Sequence, residues 1–316
     1  MIRRAWWLFA AMSLIWGVPY LLIKVAVGGV APPVLVLARV GVGAALLLPV
    51  AIRRGEIAPL REHWRWIALF ALVEILAPWL LLSEAETRLS SSLSGLLIAS
   101  VPILVAVIGR LTGGQDRLTP ARWAGLLVGL AGVALLIAGG AVHGDIGSVG
   151  EVLMVALCYS IGPLVAARKL AGLPPLGLTA VCLAVAAICY APLAAVSWPA
   201  AVPSAKVLGA LAGLGVICTA VAFLGFFALI AEAGPARAAV ITYVNPAVAV
   251  VLGVVVLGER VSMPTVAAFA LILAGSVLAT RSRPAASPAA GPAGQPSAPG
   301  AMAGPAYRQA EPGSPD

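Results

Sequence analysis

The first residue in this sequence with a claim on chemistry is an acid where none is expected. Glu74 sits in Ala71-Leu72-Val73-Glu74-Ile75-Leu76, near the middle of an apolar run and too deep to reach water by stretching. An ionisable side chain at the centre of a membrane-crossing helix costs about 2.5–3.5 kcal/mol on insertion scales, so such residues face a bundle interior or a water-filled space. Desolvation there favours the neutral carboxyl. A carboxyl whose access to water changes could take up and release a proton, which makes Glu74 the candidate for proton coupling. The plainer alternative is a carboxyl held in helix packing, protonated or paired with Arg39 or Lys24.

Other polar residues fall in similar places. Ser13, Trp16, Gly17, Tyr20 and Lys24 follow helical spacing along one face. A polar and aromatic stripe should turn away from lipid, although Lys24 near the end of its run could also snorkel to water. Arg39 stands about a turn and a half into the next run, where a structural partner such as Glu84 competes with a ligand carboxylate. Asn245 precedes Pro246, and Thr242 lies one turn back. A proline ring leaves the carbonyl four residues earlier without its usual bond, and polar interrupted helices at mid-membrane are where transporters bind. A kink satisfied by Thr242 is the alternative there, and Tyr159 is balanced between cavity and packing. Trp16, Tyr20, Lys24, Glu74, Tyr159, Thr242 and Asn245 are therefore the candidate substrate-cavity residues. Arg39, Pro102, Pro246 and Glu259 read as structural.

Catalytic and cofactor chemistry finds little support. His63 and His143 are the only histidines, and they fall on opposite sides of the expected membrane, as do Asp116 and Asp145. An enzyme acting on lipid would need nucleophile, base or metal ligands gathered in one place. Cys158, Cys182, Cys189 and Cys218 lie inside apolar runs without CxxC or CxxH spacing, and read as small buried hydrophobes. The Gx4GK[ST] phosphate-binding pattern is absent from the sequence, so ATP is not the internal energy source. No cofactor, no metal and no enzymatic activity are expected.

The elements that must position these residues are membrane helices. The 316 residues are 61% apolar and 10% charged, with mean hydropathy +1.05; an ordinary soluble domain is about a quarter charged. Apolar runs of about 20 residues suit a hydrocarbon core about 30 Å thick. They predict ten spans at 6–27, 34–52, 66–83, 91–109, 121–139, 149–167, 176–197, 207–231, 238–257 and 264–281, with Gly and Pro punctuating the connections. The run 6–27 follows Arg3-Arg4 but is too long for a typical signal peptide, and reads as a retained helix. With the N-terminus inside, fourteen cations fall in cytoplasmic segments against four outside, so both termini are expected in the cytoplasm. The net charge of +8 therefore belongs to short loops and implies no nucleic-acid partner. Residues 284–316, almost all Pro, Ala, Gly and Ser, read as a disordered cytoplasmic tail without an assigned function.

The chain also repeats itself. The stretch 234–281 reads as an apolar helix broken by Pro246, a turn at Gly258-Glu259-Arg260 and a second apolar helix. The stretch 93–137 has the same design, with Pro102 matching Pro246, Gly132 matching Gly275 and Arg117-Leu118-Thr119 matching Arg260-Val261-Ser262. Two homologous halves of five spans follow, 1–140 and 141–283, and an odd span number makes the halves inverted. Aligning the prolines puts Arg168 opposite Lys24 but Cys218 opposite Glu74. The repeat keeps its frame and drops a charge, which places any proton chemistry mainly in the first half.

These residues carry a resemblance to a known family. Trp16-Gly17-Val18-Pro19-Tyr20-Leu21-Leu22-Ile23-Lys24 resembles the first-span pattern W-G-x-x-(aromatic)-x-x-x-K of EamA-type transporters in the drug/metabolite transporter superfamily. Leu37-Ala38-Arg39-Val40 resembles that family's second-span A-R-F, with Val40 for Phe. Pro102 and Pro246 stand where the family has a fourth-span proline in each half. Leu257-Gly258-Glu259 matches its L-G-E, which in the first half has become Gly113-Gly114-Gln115. The resemblance covers about 5–281. It implies an all-α membrane protein of ten helices in two inverted five-helix repeats, a central cavity and alternating access.

The expected function is secondary-active transport, in the export direction, of a small metabolite, amino-acid-like or amphipathic compound across the plasma (inner) membrane. The alternatives are a lipid scramblase or flippase, which a lateral opening between helices would favour, and, more remotely, a lipid-modifying membrane enzyme. The expected partners are a small-molecule substrate and the bilayer, with room for a homodimer.

Overall fold

The computed structural model describes residues 3–111, 120–138, 146–234, 238 and 240–280. The turn 113–115, Asp116, the 117–119 match, His143, Asp145 and the tail 284–316 lie outside them.

Apolar runs without water partners for their backbone must bond within themselves, which is why membrane segments form helices. Among the described residues the helices fall in ten stretches and there are no strands. They are α1 (Arg3–Val27), α2 (Pro32–Arg53), α3 (Ala58–Arg88), α4 (Ser91–Leu111), α5 (Pro120–Ala138), α6 (Ile146–Lys169), α7 (Pro175–Val196), α8 (Ala205–Ala233), α9 (Ile241–Leu257) and α10 (Met263–Thr280). Seven of these, α1–α4 and α6–α8, are long and apolar enough to cross a membrane, and shorter apolar helices lie within α5, α9 and α10. Large apolar side chains such as Trp7, Leu127, Ile188 and Val255 stand on the outside of the bundle. That is the expected surface for a protein whose solvent is lipid.

Several helices depart from the expected course. α1 is interrupted at Trp16-Gly17, where Gly17 N–H bonds to the Leu14 carbonyl at 3.0 Å, three residues back. α4 is interrupted at Ala99-Ser100, just before Pro102. The expected break at Pro246 does not occur, because α9 runs unbroken from Ile241 to Leu257. Pro246 lies in the second turn of that helix, where its ring forgoes one intrahelical bond and the helix continues through it. α3 is longer than 66–83 at both ends: it opens with 3₁₀ turns at Ala58–His63 and continues to Arg88.

α3 and α8 each contain a π-helical segment, Leu72–Leu76 and Gly213–Val221. The offset that superposes Pro102 on Pro246 carries the first of these inside the second. Single π turns need one extra residue and are frequent at functional sites.

Packing follows the repeat. α2 packs on α7, α4 on α9 and α5 on α10, each helix against its own counterpart. α1 meets α8 and α9, while α6 meets α3 and α4. At the α5–α10 crossing a Cβ on Gly275 would stand 2.6 Å from the Gly129 Cα and the Gly125 carbonyl oxygen, so the backbones touch through small residues.

Candidate functional site

A buried polar layer forms where α1, α2 and α3 meet α6 and α8. Arg39 of α2 is 7% exposed, and its Nε donates to Thr219 Oγ1 of α8 at 3.1 Å. Its guanidinium carbon lies 3.6 Å from the ring centre of Trp79 on α3. A planar, weakly hydrated cation suits this stacking, which is worth about 2 kcal/mol when desolvated. Thr219 in turn donates to the Leu214 carbonyl at 2.8 Å, five residues back within the π segment. The partner proposed from sequence for Arg39, Glu84, is replaced by this aromatic and hydroxyl pair. Tyr159 of α6 lies beside Trp79 and Arg39.

Glu74 is carried by the π segment of α3. Its Oε2 is buried without a hydrogen-bond partner, and it lies directly against Gly162 of α6, where any larger residue would collide with it. Widening the helix at Leu72–Leu76 and removing the side chain opposite together make room for the carboxyl.

Lys24 lies at the far end of α1 and is half-buried. Its Nζ donates to the carbonyls of Glu86 at 2.7 Å and Leu89 at 2.6 Å. It thereby caps the last turn of α3, where unsatisfied carbonyls and the helix dipole favour a cation. Beside it Tyr20 is buried at 7% exposure, and Glu86 is buried completely with neither carboxyl oxygen hydrogen-bonded.

Glu86 escaped the sequence reading because Ser83-Glu84-Ala85-Glu86-Thr87-Arg88 looks like a polar loop. In the structure it belongs to the buried stripe Trp79, Leu82, Ser83 and Glu86 of α3. That i, i+3, i+4, i+7 spacing from Trp79 was the available signal.

The other sequence candidates have different surroundings. Trp16 joins an aromatic group with Phe226 and Phe223 of α8, at ring distances of 4.6 and 6.2 Å. Asn245, with its amide oriented by its neighbours, donates to Ile241 O at 3.0 Å and to Ser13 O at 3.1 Å. It thus supplies a donor to a carbonyl beside the interruption of α1. Thr242 is exposed.

Two carboxylates cap helices of the opposite half. Glu259, in the turn after α9, accepts from the N–H and hydroxyl of both Ser91 and Ser92 at the start of α4. Gly258 makes this turn with a left-handed φ of 67°. Glu56, in the loop after α2, accepts from Gly177 N–H at 2.8 Å in the first turn of α7. An apolar groove of about 390 Å³ on the flank of α2, lined by Ala44, Ala45, Leu48, Pro49, Ile52 and Arg53, shares none of these residues.

Among the described residues no group of three or more His, Cys, Asp or Glu is placed to hold a metal. The layer can stack and hydrogen-bond a ligand and exchange protons.

Comparison with known proteins bears on the family. The chain is 26% identical over 275 residues to the uncharacterized inner membrane transporter YedA of Escherichia coli (strain K12), covering 85% of this chain and 88% of that one. It is 23% identical over 283 residues to an uncharacterized transporter of Archaeoglobus fulgidus, covering 89% of this chain and all of that one. A solved crystal structure has the same fold at TM-score 0.63 and 24% identity, over 87% of this chain and 96% of that chain. The sequence profile of the EamA-like transporter family matches residues 3–138 and again 149–281, and the chain belongs to that family.

Proposed function

We propose that this membrane protein is a secondary-active exporter of a small metabolite, amino-acid-like or amphipathic compound. It works by alternating access between two inverted five-helix repeats, 1–140 and 141–283. All ten helical stretches cross the plasma (inner) membrane, with both termini and the tail 284–316 in the cytoplasm, and the organisation is compatible with a homodimer. The packing of α2, α4 and α5 on their counterparts α7, α9 and α10, and the placement of both π segments at equivalent positions, support the repeat.

The observation that carries this reading is the polar layer at the seam of the halves. Arg39, Trp79, Tyr159, Thr219 and Glu74 come from both halves and lie between helices that must part for a substrate to pass. Such groups are expensive in a membrane. Tyr20, Lys24 and Asn245 extend the layer along α1 and α9, with Trp16 and Thr242 at its margin. Glu74 acts as the coupling carboxyl: opening wets it and lets it ionise, while closure against Gly162 favours its neutral form. A proton then moves the equilibrium between states through its differential affinity for them.

The test is metabolite efflux from cells overproducing the wild type or Glu74→Gln. The wild type should deplete a defined class of small compounds from the cytoplasm in a manner that depends on the pH gradient. Glu74→Gln should accumulate normally and lose that dependence. Identical efflux profiles for cells with and without the wild-type protein would defeat the proposal.

A further inference from the structure

Resting on that transporter reading, we propose that Glu86 is a second proton-binding site, with Lys24 as its built-in counter-ion and the Glu259 clasp as its cover. Glu86 is completely buried in the last turn of α3, and neither carboxyl oxygen has a hydrogen-bond partner. An ionised carboxylate in that state would carry the full desolvation penalty with nothing to offset it. The closed arrangement therefore holds Glu86 as the neutral acid.

The surroundings supply what the ionised form needs. Lys24 uses two of its three donors on the Glu86 and Leu89 carbonyls. A third N–H is left, on a cation already bonded to the backbone carbonyl of Glu86 itself. The other charged or titratable groups facing Glu86 are Tyr20 from α1, Arg39 from α2 and Glu259 from the turn before α10. Its own helix adds Glu74, Glu84 and Arg88, the last paired with Glu151 at 3.8 Å. At this end of α4 only serine hydroxyls are offered, and Ser91 and Ser92 are both committed to Glu259. Releasing Glu259 from those serines frees the start of α4, which is joined to the last turn of α3 through Leu89-Ser90. Water then reaches Glu86, the proton leaves to solvent, and the Lys24 ammonium takes the carboxylate. Reclosure returns one proton from solvent to Glu86. Charge balances at each stage, and no further reactant is needed.

Glu74 and Glu86 are thus different kinds of carboxyl. Glu74 faces glycine and apolar packing, whereas Glu86 has a cation waiting beside it. A proton arriving from the Lys24 end would meet Glu86 first and Glu74 three turns deeper along α3.

Difference infrared spectroscopy of the full-length protein in maltoside detergent reads the C=O stretch of protonated carboxyls without substrate. At neutral pH the wild type should show such a band, part of which is lost in Glu86→Gln and a separate part in Glu74→Gln. Glu86→Asp should shift the first component. On raising the pH, that component should disappear at a higher pH in Lys24→Met than in the wild type, because a cation that stabilises the carboxylate is gone. Glu86→Gln that folds normally yet keeps the full band overturns the proposal. If Glu86→Gln does not accumulate, an unshifted band in Glu86→Asp overturns it equally. A Glu86 component present in a protein that moves no compound in vesicles would sink the transport reading and leave the proton site standing.

Discussion

Glu259 accepts two hydrogen bonds from Ser92, from its N–H at 2.9 Å and its hydroxyl at 2.5 Å, and two more from Ser91. A carboxylate at the start of α4 also complements the helix dipole. Partial burial pushes the Glu259 carboxyl up, but the bonds from Ser92 and Ser91 outweigh that and hold it below the ordinary carboxylate value. Its folded form therefore prefers the ionised state. The clasp contributes fully above the unfolded carboxylate value of about 4.3 and is lost as pH falls through the lower folded value. In Glu259→Gln one oxygen still accepts, and the NH₂ group faces two donors. Thermal unfolding in detergent at pH 7 should show a loss of about 1–3 kcal/mol, and the gap to wild type should narrow as the pH falls below about 4.3. A gap that is constant down to acid pH would contradict a carboxylate clasp.

Gly162 and Glu74 should couple. Gly162→Ala puts a methyl group where Glu74 Oε2 lies, and overpacking of this kind costs about 1–3 kcal/mol. Glu74→Ala should remove most of that cost, so the double variant should be more stable than the sum of the single effects predicts. Simple additivity would mean that the two residues are not in contact.

The ten stretches were legible because hydropathy is long-range and redundant: a few wrong residues do not hide twenty apolar ones. The ends were less so. α3 extends past residue 83 through a polar last turn in which Ser83 and Glu86 are buried while Thr87 and Arg88 stand exposed at its end. Local composition could not see this burial. The π segments have no residue signature, since the extra residue in each is accommodated by backbone geometry. Glu74 and Lys24 stood out as charges in apolar runs, whereas Thr219 and Trp79, which hold Arg39, are ordinary residues of membrane helices. Pro246 misleads because a proline in the second turn forgoes a single intrahelical bond, and α9 continues through it.

The topology has a direct test. Reporter fusions after His143 and after Pro284 should report opposite sides of the membrane, with the second cytoplasmic. The same side for both would remove either the span count or the orientation, and with it the inversion of the halves.

Arg39 separates structural from functional roles in the polar layer. It is buried against Trp79 at 3.6 Å and bonded to Thr219 at 3.1 Å, linking one helix of each half. Arg39→Lys keeps the charge but loses the planar stacking surface and the directed N–H, so it should destabilise by about 1–3 kcal/mol. Arg39→Met removes the charge and fills a similar volume. Replacing a buried polar link by a well-packed apolar residue is often neutral or stabilising, so Arg39→Met should unfold no more easily than Arg39→Lys. If the cation serves transport, Arg39→Met should nevertheless lose efflux while keeping its level in the membrane and its melting temperature. A structural tie alone predicts the reverse order, with efflux following stability from one variant to the next. Measuring both quantities on the same preparations distinguishes the two: retained efflux in a stable Arg39→Met protein would exclude Arg39 from the transport path and leave it as the tie between α2, α3 and α8.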